Sequence, residues 1–181
     1  MIYVFLAEGF EVIEALTPVD LLRRAGKEVI TVGVGGSVIK GSHGIGVVCD
    51  NEIENVHSSH ELEGVILPGG MPGTTNLNNS DKVKELVAFC HSNNFPVAAI
   101  CAAPMILGEM GILDGKNAVC YPGFEKHLLG AKVQGSAVCT DGNVITACGA
   151  GAATKFALKL VEVYCGEMQA KKLEDSILCS R

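Results

Sequence analysis

Short apolar runs alternate with amphipathic segments along this chain. The runs are rich in valine, isoleucine and alanine, as buried strands are, and lie at residues 1–7, 27–34, 64–67, 95–100 and 143–147. The amphipathic segments, which predict helices, lie at residues 11–26, 81–93, 103–110 and 151–165. This alternation predicts an α/β fold with a mainly parallel sheet, in a single domain over residues 1–181.

Turn residues and polar segments complete the predicted outline. Residues 37–40 and 45–49 predict either a small hairpin or edge strands, and Ser80 is expected to cap the helix that follows it. The segment 68–76 is expected to be a loop. The chain beyond residue 165 predicts either a short helix or a frayed end.

Cys101 is the leading candidate for chemistry. It ends the apolar run at 95–100 and precedes Pro104, which suits the first turn of a helix. A cysteine on a sharp strand-to-helix turn forms a nucleophile elbow, with its sulfur facing outward. The positive end of the helix dipole favours a thiolate there, so the sequence predicts a reactive Cys101.

Two further loops follow predicted strands, and ligands of parallel sheets bind beyond the carboxyl ends of the strands. In the loop at 7–14, Glu11 and Glu14 share one face of a helix start, where acids also complement the helix dipole. Glu14 has apolar neighbours, which predicts a buried and protonated carboxyl. Beside Cys101, such a group is expected to donate a hydrogen bond to the thiolate, lower the cysteine pKa and act as a general acid or base.

The loop at 68–76 begins with a glycine-rich stretch. It lacks the Gly-Lys-Ser/Thr ending of a phosphate loop. The N–H of Gly70, together with that of Ala102, would form an oxyanion hole beside Cys101. A tight turn without chemistry is the alternative interpretation of these glycines.

Composition excludes several function classes. The chain has 181 residues, a net charge of −6 and no basic cluster longer than two residues, so nucleic acid is not an expected partner. It lacks the run of about 18 apolar residues that a membrane helix needs, and residues 1–6 lack the basic flank of a signal peptide. A cytoplasmic location without membrane contact is therefore expected.

The cysteines and histidines do not predict a metal or organic cofactor. Eight cysteines are scattered through apolar segments without a Cys-x-x-Cys pair, which predicts reduced and mostly buried thiols. His57 and His60 form a close pair, but no thiol or further histidine accompanies them. A solvated turn is the favoured interpretation of that pair.

Several motifs, in this order, together resemble one family. They are Ala7-Glu8-Gly9-Phe10-Glu11-x-x-Glu14, Pro18-Val19-Asp20-x-Leu22-Arg23-Arg24-Ala25-Gly26, Leu67-Pro68-Gly69-Gly70, Ala99-Ile100-Cys101-Ala102-Ala103-Pro104 and Thr146-Ala147-Cys148-Gly149-Ala150-Gly151. The chain resembles the ThiJ/PfpI family, of the class I glutamine amidotransferase-like superfamily, over essentially its whole length. The resemblance implies a flavodoxin-like three-layer sandwich that forms a homodimer.

The resemblance also implies roles for individual residues. Cys101 matches the oxidisable nucleophile of the family and Glu14 its protonated carboxyl partner, while Gly70 and Ala102 match its oxyanion donors. Gly69, Ala103 and Cys148 are expected in the pocket around them.

Other positions near the site depart from the family pattern. Tyr121, before Pro122, stands where several members carry a histidine; it is a weak base but can donate a hydrogen bond. Arg24 matches a basic residue that contacts the site, across the dimer, and His43 stands where other members carry arginine.

The implied activity is of the glyoxalase or deglycase type, on small reactive dicarbonyls or early adducts on glycated proteins. An oxidative-stress sensor or a redox-regulated chaperone that uses the same cysteine remains the alternative. A glutamine amidotransferase is disfavoured because no histidine follows His127, and a PfpI-type peptidase because Ala102 replaces the histidine that follows its nucleophile.

Overall fold

The computed structural model describes residues 1–179. In chain order, the strands are β1 (Ile2–Ala7), β2 (Val29–Val34), β3 (Val38–Lys40), β4 (Gly46–Val48), β5 (Asn51–Glu52), β6 (Gly64–Leu67), β7 (Val97–Ile100), β8 (Asn117–Ala118), β9 (Lys132–Val133), β10 (Val138–Asp141) and β11 (Val144–Ala147). The helices are α1 (Val12–Arg24), α2 (Gly73–Asn78), α3 (Asp81–Ser92), α4 (Pro104–Glu109), α5 (Ala153–Cys165) and α6 (Glu167–Ser176). Short 3-10 turns occur at Ile53–Asn55, Glu125–His127 and Ala150–Ala152.

The central sheet has seven strands in the order β10-β11-β7-β6-β1-β2-β5. Its neighbours pair in parallel, except for the antiparallel edge pair of β10 and β11. The strands β3 and β4 form a separate antiparallel hairpin, and β8 pairs with β9 in parallel. The predicted α/β fold with a mainly parallel sheet is therefore confirmed.

The helices cover both faces of the sheet. Alternate residues of β1 face opposite sides: Phe5 joins the core beneath α2, α3 and α4, whereas Leu6 joins the core beneath α1, α5 and α6. Every residue of β1, β6 and β7 is buried, as their continuous apolar sequences predict. The carboxyl ends of these three central strands consequently meet at one edge of a rigid core.

One segment differs from the predicted outline. The segment 68–76 is not wholly a loop, because α2 begins at Gly73. Beyond residue 165, α6 is the first of the two predicted alternatives. Within residues 1–179, no helix is long and apolar enough to cross a membrane.

Ser80 caps α3. Its Oγ accepts a hydrogen bond from the N–H of Val83 at 3.3 Å. Since this satisfies one of the unpaired N–H groups at the helix start, Ser80→Ala is expected to lower the free energy of unfolding by about 1 kcal/mol. Urea denaturation measures the change. Ser80→Asp, which retains an acceptor, should stay within about 0.5 kcal/mol of the wild type, and an equal loss in both variants would contradict a capping role.

Candidate active site

Cys101 occupies a sharp turn between β7 and α4. Its φ is +65°, in the left-handed region that residues other than glycine seldom adopt. The turn is anchored on both sides: the N–H of Cys101 donates to the carbonyl of Ala147 at 2.9 Å, and its own carbonyl accepts from the N–H of Tyr121 at 2.8 Å. Pro104 fills the first turn of α4. The backbone therefore has the shape of a nucleophile elbow.

Glu14 lies in the first turn of α1 and is 1% exposed. Its Oε2 accepts a hydrogen bond from the N–H of Gly69 at 2.9 Å. Its Oε1 is buried and has no hydrogen-bond partner among residues 1–179. The carboxyl thus points inward and retains an oxygen free to exchange a proton.

Gly69 separates the carboxyl from the cysteine. A Cβ atom at this position would lie 2.6 Å from the Cβ of Cys101 and 2.6 Å from Oε2 of Glu14. No side chain fits between them, so only a glycine lets the two groups approach one another. This close approach explains why Glu14 and Cys101 influence each other's protonation.

The pKa of Glu14 is raised from 4.5 to about 7. Burial is the main cause, because it disfavours the ionised carboxylate. Contacts with the Cys101 thiol and the Gly69 N–H oppose the rise, and the negative charge of Glu11 adds to it. A carboxyl with this pKa exchanges protons readily near neutral pH.

The surroundings of Cys101 act on its protonation in opposite directions. The sulfur is partly buried, and the pKa of the thiol is raised from 9 to about 12, mainly by burial. The nearby charge of Glu14 contributes to the rise, whereas the N–H groups of Ala102 and Gly70 oppose it. Burial thus disfavours the expected resting thiolate, while the two amide groups favour it. Proton transfer to the Glu14 carboxylate is a route for activating a neutral thiol.

Gly70 and Ala102 flank the sulfur, and their N–H groups lower the pKa of the Cys101 thiol. Gly70 has a φ of +87°, which favours glycine, and its carbonyl accepts from the N–H of Thr74 at the start of α2. Ala103, expected in the pocket, is fully buried in the core and does not line the groove beside the elbow. The structure thus brings two backbone donors from different loops to one sulfur atom.

Tyr121 and Cys148 lie beside the elbow, where both line a groove. The side chain of Tyr121 is 50% exposed. A Cβ atom at Gly149 would lie 3.2 Å from the Tyr121 ring and 4.0 Å from the Cys101 sulfur. Tyr121 is therefore close enough to the sulfur to contact a substrate held there.

Arg24 is not part of the site within one chain. It lies in the last turn of α1, where its Nε donates to Oδ2 of Asp20 at 2.8 Å on the exposed face. Ten residues of helix separate it from Glu14, a distance of about 15 Å. The expected contact with the site across a dimer would have to come from the Arg24 of a second chain.

A cluster of polar groups beside the candidate site includes Ser42, which the sequence did not single out. The Oε2 of Glu11 lies 3.2 Å from the Ser42 hydroxyl and 3.5 Å from Nδ1 of His43. The N–H of Glu11 donates to the carbonyl of Gly69, which ties this cluster to the active-site loop. Nothing in the sequence pairs Ser42 with Glu11, since a hairpin brings them together from distant positions.

The described residues contain no group of three side chains placed to hold a metal ion. His57 and His60 are both exposed, as expected of a solvated turn.

Glu14 should make stability depend on pH. Its pKa in the folded protein lies above its ordinary value of 4.5, at about 7. Between these values the folded state binds a proton that the unfolded state has released, so the free energy of unfolding falls as pH rises. At about 1.4 kcal/mol per pH unit, the loss between pH 4.5 and 7 is about 3 kcal/mol.

Urea denaturation from pH 4.5 to 8 measures this slope in the wild type and in Glu14→Gln. The variant lacks the titrating group, so its free energy of unfolding should not fall as pH rises. Glu54→Gln, at an exposed carboxyl, should keep the wild-type decline. Parallel curves for Glu14→Gln and the wild type would contradict a raised pKa.

The sequence of this chain is similar to those of several known proteins. A model of the DJ-1/PfpI family matches residues 1–163. Protein dj-1beta of Drosophila melanogaster is 35% identical over 178 residues, covering 97% of this chain and 95% of that protein. A protein named deglycase from Pyrococcus abyssi is 33% identical over 148 residues, covering 80% of this chain and 87% of that protein.

A solved structure agrees with the sequence matches. Oxidized DJ-1 of Toxoplasma gondii has a TM-score of 0.93 and 33% identity, covering 98% of this chain and 97% of that one. The likeness includes the seven-stranded sheet and its flanking helices, so the flavodoxin-like architecture is confirmed. On the match over residues 1–163 and these near full-length relatives, the chain belongs to the DJ-1/PfpI family.

Proposed function

We propose that this protein is a cysteine-dependent enzyme of the glyoxalase or deglycase type, acting on reactive dicarbonyls or early glycation adducts. The observation that carries the proposal is the pairing of Cys101, on its elbow, with a buried Glu14 whose pKa is about 7. A thiol next to a carboxylate of that pKa has a general base available at neutral pH. The family relative named deglycase supports the same class of reaction.

The first step forms a carbon–sulfur bond. The Cys101 sulfur attacks the aldehyde carbon of the dicarbonyl while its proton passes to the Glu14 carboxylate. The carbonyl π electrons move to oxygen, which is then protonated to give a hemithioacetal. The N–H groups of Gly70 and Ala102, which lower the pKa of the resting thiol, would stabilise the negative charge that develops on the oxygen.

The later steps return the enzyme to its starting state. Glu14 moves a proton from the hemithioacetal carbon to the adjacent carbonyl carbon, which oxidises the first carbon and reduces the second. The product is a thioester of a 2-hydroxy acid. Water hydrolyses it, releasing the acid and restoring the thiol, so the net reaction consumes one water and needs no cofactor. The Tyr121 hydroxyl is available to donate a hydrogen bond to a substrate oxygen.

A homodimer belongs to the same proposal. Apolar side chains are exposed on α1 and on the neighbouring hairpin of β3 and β4; Ile13 is 54% exposed and Val48 is 74% exposed. Such a patch beside the rim of the site is suited to covering by a second copy of the chain. In that arrangement Arg24 of one chain would lie at the active site of its partner.

A redox sensor is the second candidate. The N–H donors of Gly70 and Ala102 would equally stabilise a sulfinate on Cys101. Peroxide oxidation without turnover is the behaviour that distinguishes this alternative from the enzyme.

Product formation from methylglyoxal tests the proposal. The wild type should release many equivalents of lactate per chain at neutral pH, as measured by chromatography of the quenched reaction. Cys165→Ser, at a partly buried thiol on α5, should behave like the wild type. Consumption of no more than one equivalent, with no lactate, would exclude the enzyme and favour the sensor.

A further inference from the structure

A groove of about 690 Å³ adjoins the candidate active site. Three segments line it, residues 119–122, 133–137 and 148–152, together with Glu125 and Lys155. The segment 148–152 directly follows β11 of the central sheet, whereas 119–122 follows β8 of the separate two-stranded sheet. The groove therefore lies at the edge of the sheet where parallel sheets bind ligands.

The groove lies next to the nucleophile. Tyr121 lines the groove, and its N–H donates to the carbonyl of Cys101 at 2.8 Å. Gly149 also lines it, and a Cβ there would lie 4.0 Å from the Cys101 sulfur and 3.2 Å from the Tyr121 ring. A ligand in the groove can therefore reach the sulfur past Gly149.

The groove is larger than a free dicarbonyl requires. Its 690 Å³ falls in the range that holds ligands of about drug size, roughly 300–1,000 Å³. A three-carbon dicarbonyl fills only a small part of that space. The remaining volume fits the part of an adduct that a free dicarbonyl lacks, namely the polypeptide to which it is attached.

One wall of the groove offers unused backbone donors. The N–H groups of Gly135 and Ser136 donate no hydrogen bond within residues 1–179. On either side the chain is fixed: the N–H of Gln134 donates to Ala118 at 2.8 Å, and the carbonyl of Ala137 accepts from Cys148 at 3.0 Å. Free N–H groups on a fixed segment suit the carbonyl oxygens of an extended peptide.

The charges of the lining favour the same ligand. Glu125 and Lys155 contribute one charge of each sign, and most other lining residues are glycine, alanine or valine. A groove without net charge does not attract a polyanion such as a nucleotide chain. We propose that this groove binds the polypeptide segment that flanks a glycation adduct, so that a peptide-borne adduct is preferred over a free dicarbonyl. This inference rests on the proposed function.

Two glycines of the lining allow the groove to be filled selectively. A Cβ atom at Gly135 or Gly151 would meet no atom within 4 Å. Gly135→Phe and Gly151→Phe should therefore occupy the groove without displacing the chain. We expect each to lower kcat/KM for an adduct-bearing hexapeptide by about ten-fold or more, mainly through KM, and to leave methylglyoxal turnover within about two-fold.

Lys172→Phe is the matched control, because Lys172 is exposed on α6 away from the groove. It should change neither activity. Equal losses for peptide and free dicarbonyl would overturn the inference, because the phenyl ring would then simply block Cys101. Unchanged peptide kinetics in both groove variants would overturn it as well.

A binding measurement separates this inference from the proposed function. A fluorescein-labelled adduct peptide is titrated with the Cys101→Ala variant, alone and combined with Gly151→Phe, and anisotropy is recorded. About ten-fold weaker binding in the double variant supports the groove even if the wild type shows no turnover. Equal binding by the two proteins overturns the groove, whatever the activity of the wild type.

Discussion

Replacing Cys101 by serine is expected to lower kcat/KM for methylglyoxal by at least about 1,000-fold. The two side chains are nearly equal in size, so the elbow and its hydrogen bonds to Ala147 and Tyr121 should persist. A serine hydroxyl is much less acidic than a thiol and its oxygen is a weaker nucleophile, so attack on the aldehyde is slower even with the Glu14 carboxylate as the base. The loss should therefore lie in the chemical step and appear mainly in kcat.

Steady-state lactate formation measures the effect, with circular dichroism to verify the fold. Cys139→Ser is the control, since Cys139 lies on the edge strand β10 and also carries a partly buried thiol. It should retain wild-type turnover. More than about a tenth of wild-type kcat/KM in Cys101→Ser would show that another group is the nucleophile.

Replacing Glu14 by glutamine should have two opposite effects. Turnover should fall by about 100-fold or more, because glutamine cannot accept the thiol proton or carry one between the two carbons. The pKa of the Cys101 thiol should nevertheless fall, because the negative charge of Glu14 raises that pKa. The variant is thus expected to react faster with an alkylating agent while catalysing more slowly.

The alkylation rate of Cys101 with iodoacetamide, followed from pH 6 to 10 by mass spectrometry, reports the change in pKa. Glu11→Gln is the matched control, at the residue that directly precedes α1. It should keep the wild-type midpoint within about half a pH unit, since the Glu11 charge acts on Glu14 rather than on the thiol. A higher midpoint in Glu14→Gln would mean that a protonated Glu14 stabilises the thiolate in the wild type.

The regular elements were largely predictable because their patterns are local. A few neighbouring residues are enough to predict β6, which is continuously apolar, and α3, which is amphipathic and capped. In contrast, α2 has the sequence Gly-Thr-Thr-Asn-Leu-Asn, which favours helix weakly. It forms because Leu77 is fully buried and the N–H of Thr74 donates to Gly70, which are tertiary effects.

The candidate site was predictable in its membership but not in its electrostatics. Cys101 and Glu14 end up together because parallel strands align their carboxyl ends, which the alternation of elements already implied. The raised pKa of Cys101 depends on how completely the surrounding atoms exclude water, and local sequence does not encode that. The groove and the contact between Ser42 and Glu11 likewise join segments far apart in the chain.

The left-handed backbone at Cys101 sets chemistry against resistance to heat. A residue other than glycine loses about 1–2 kcal/mol in this conformation. Glycine at this position would relieve the strain but would remove the sulfur. A chain that carries the thiol here therefore gives up part of its thermal tolerance for the reactivity of one atom.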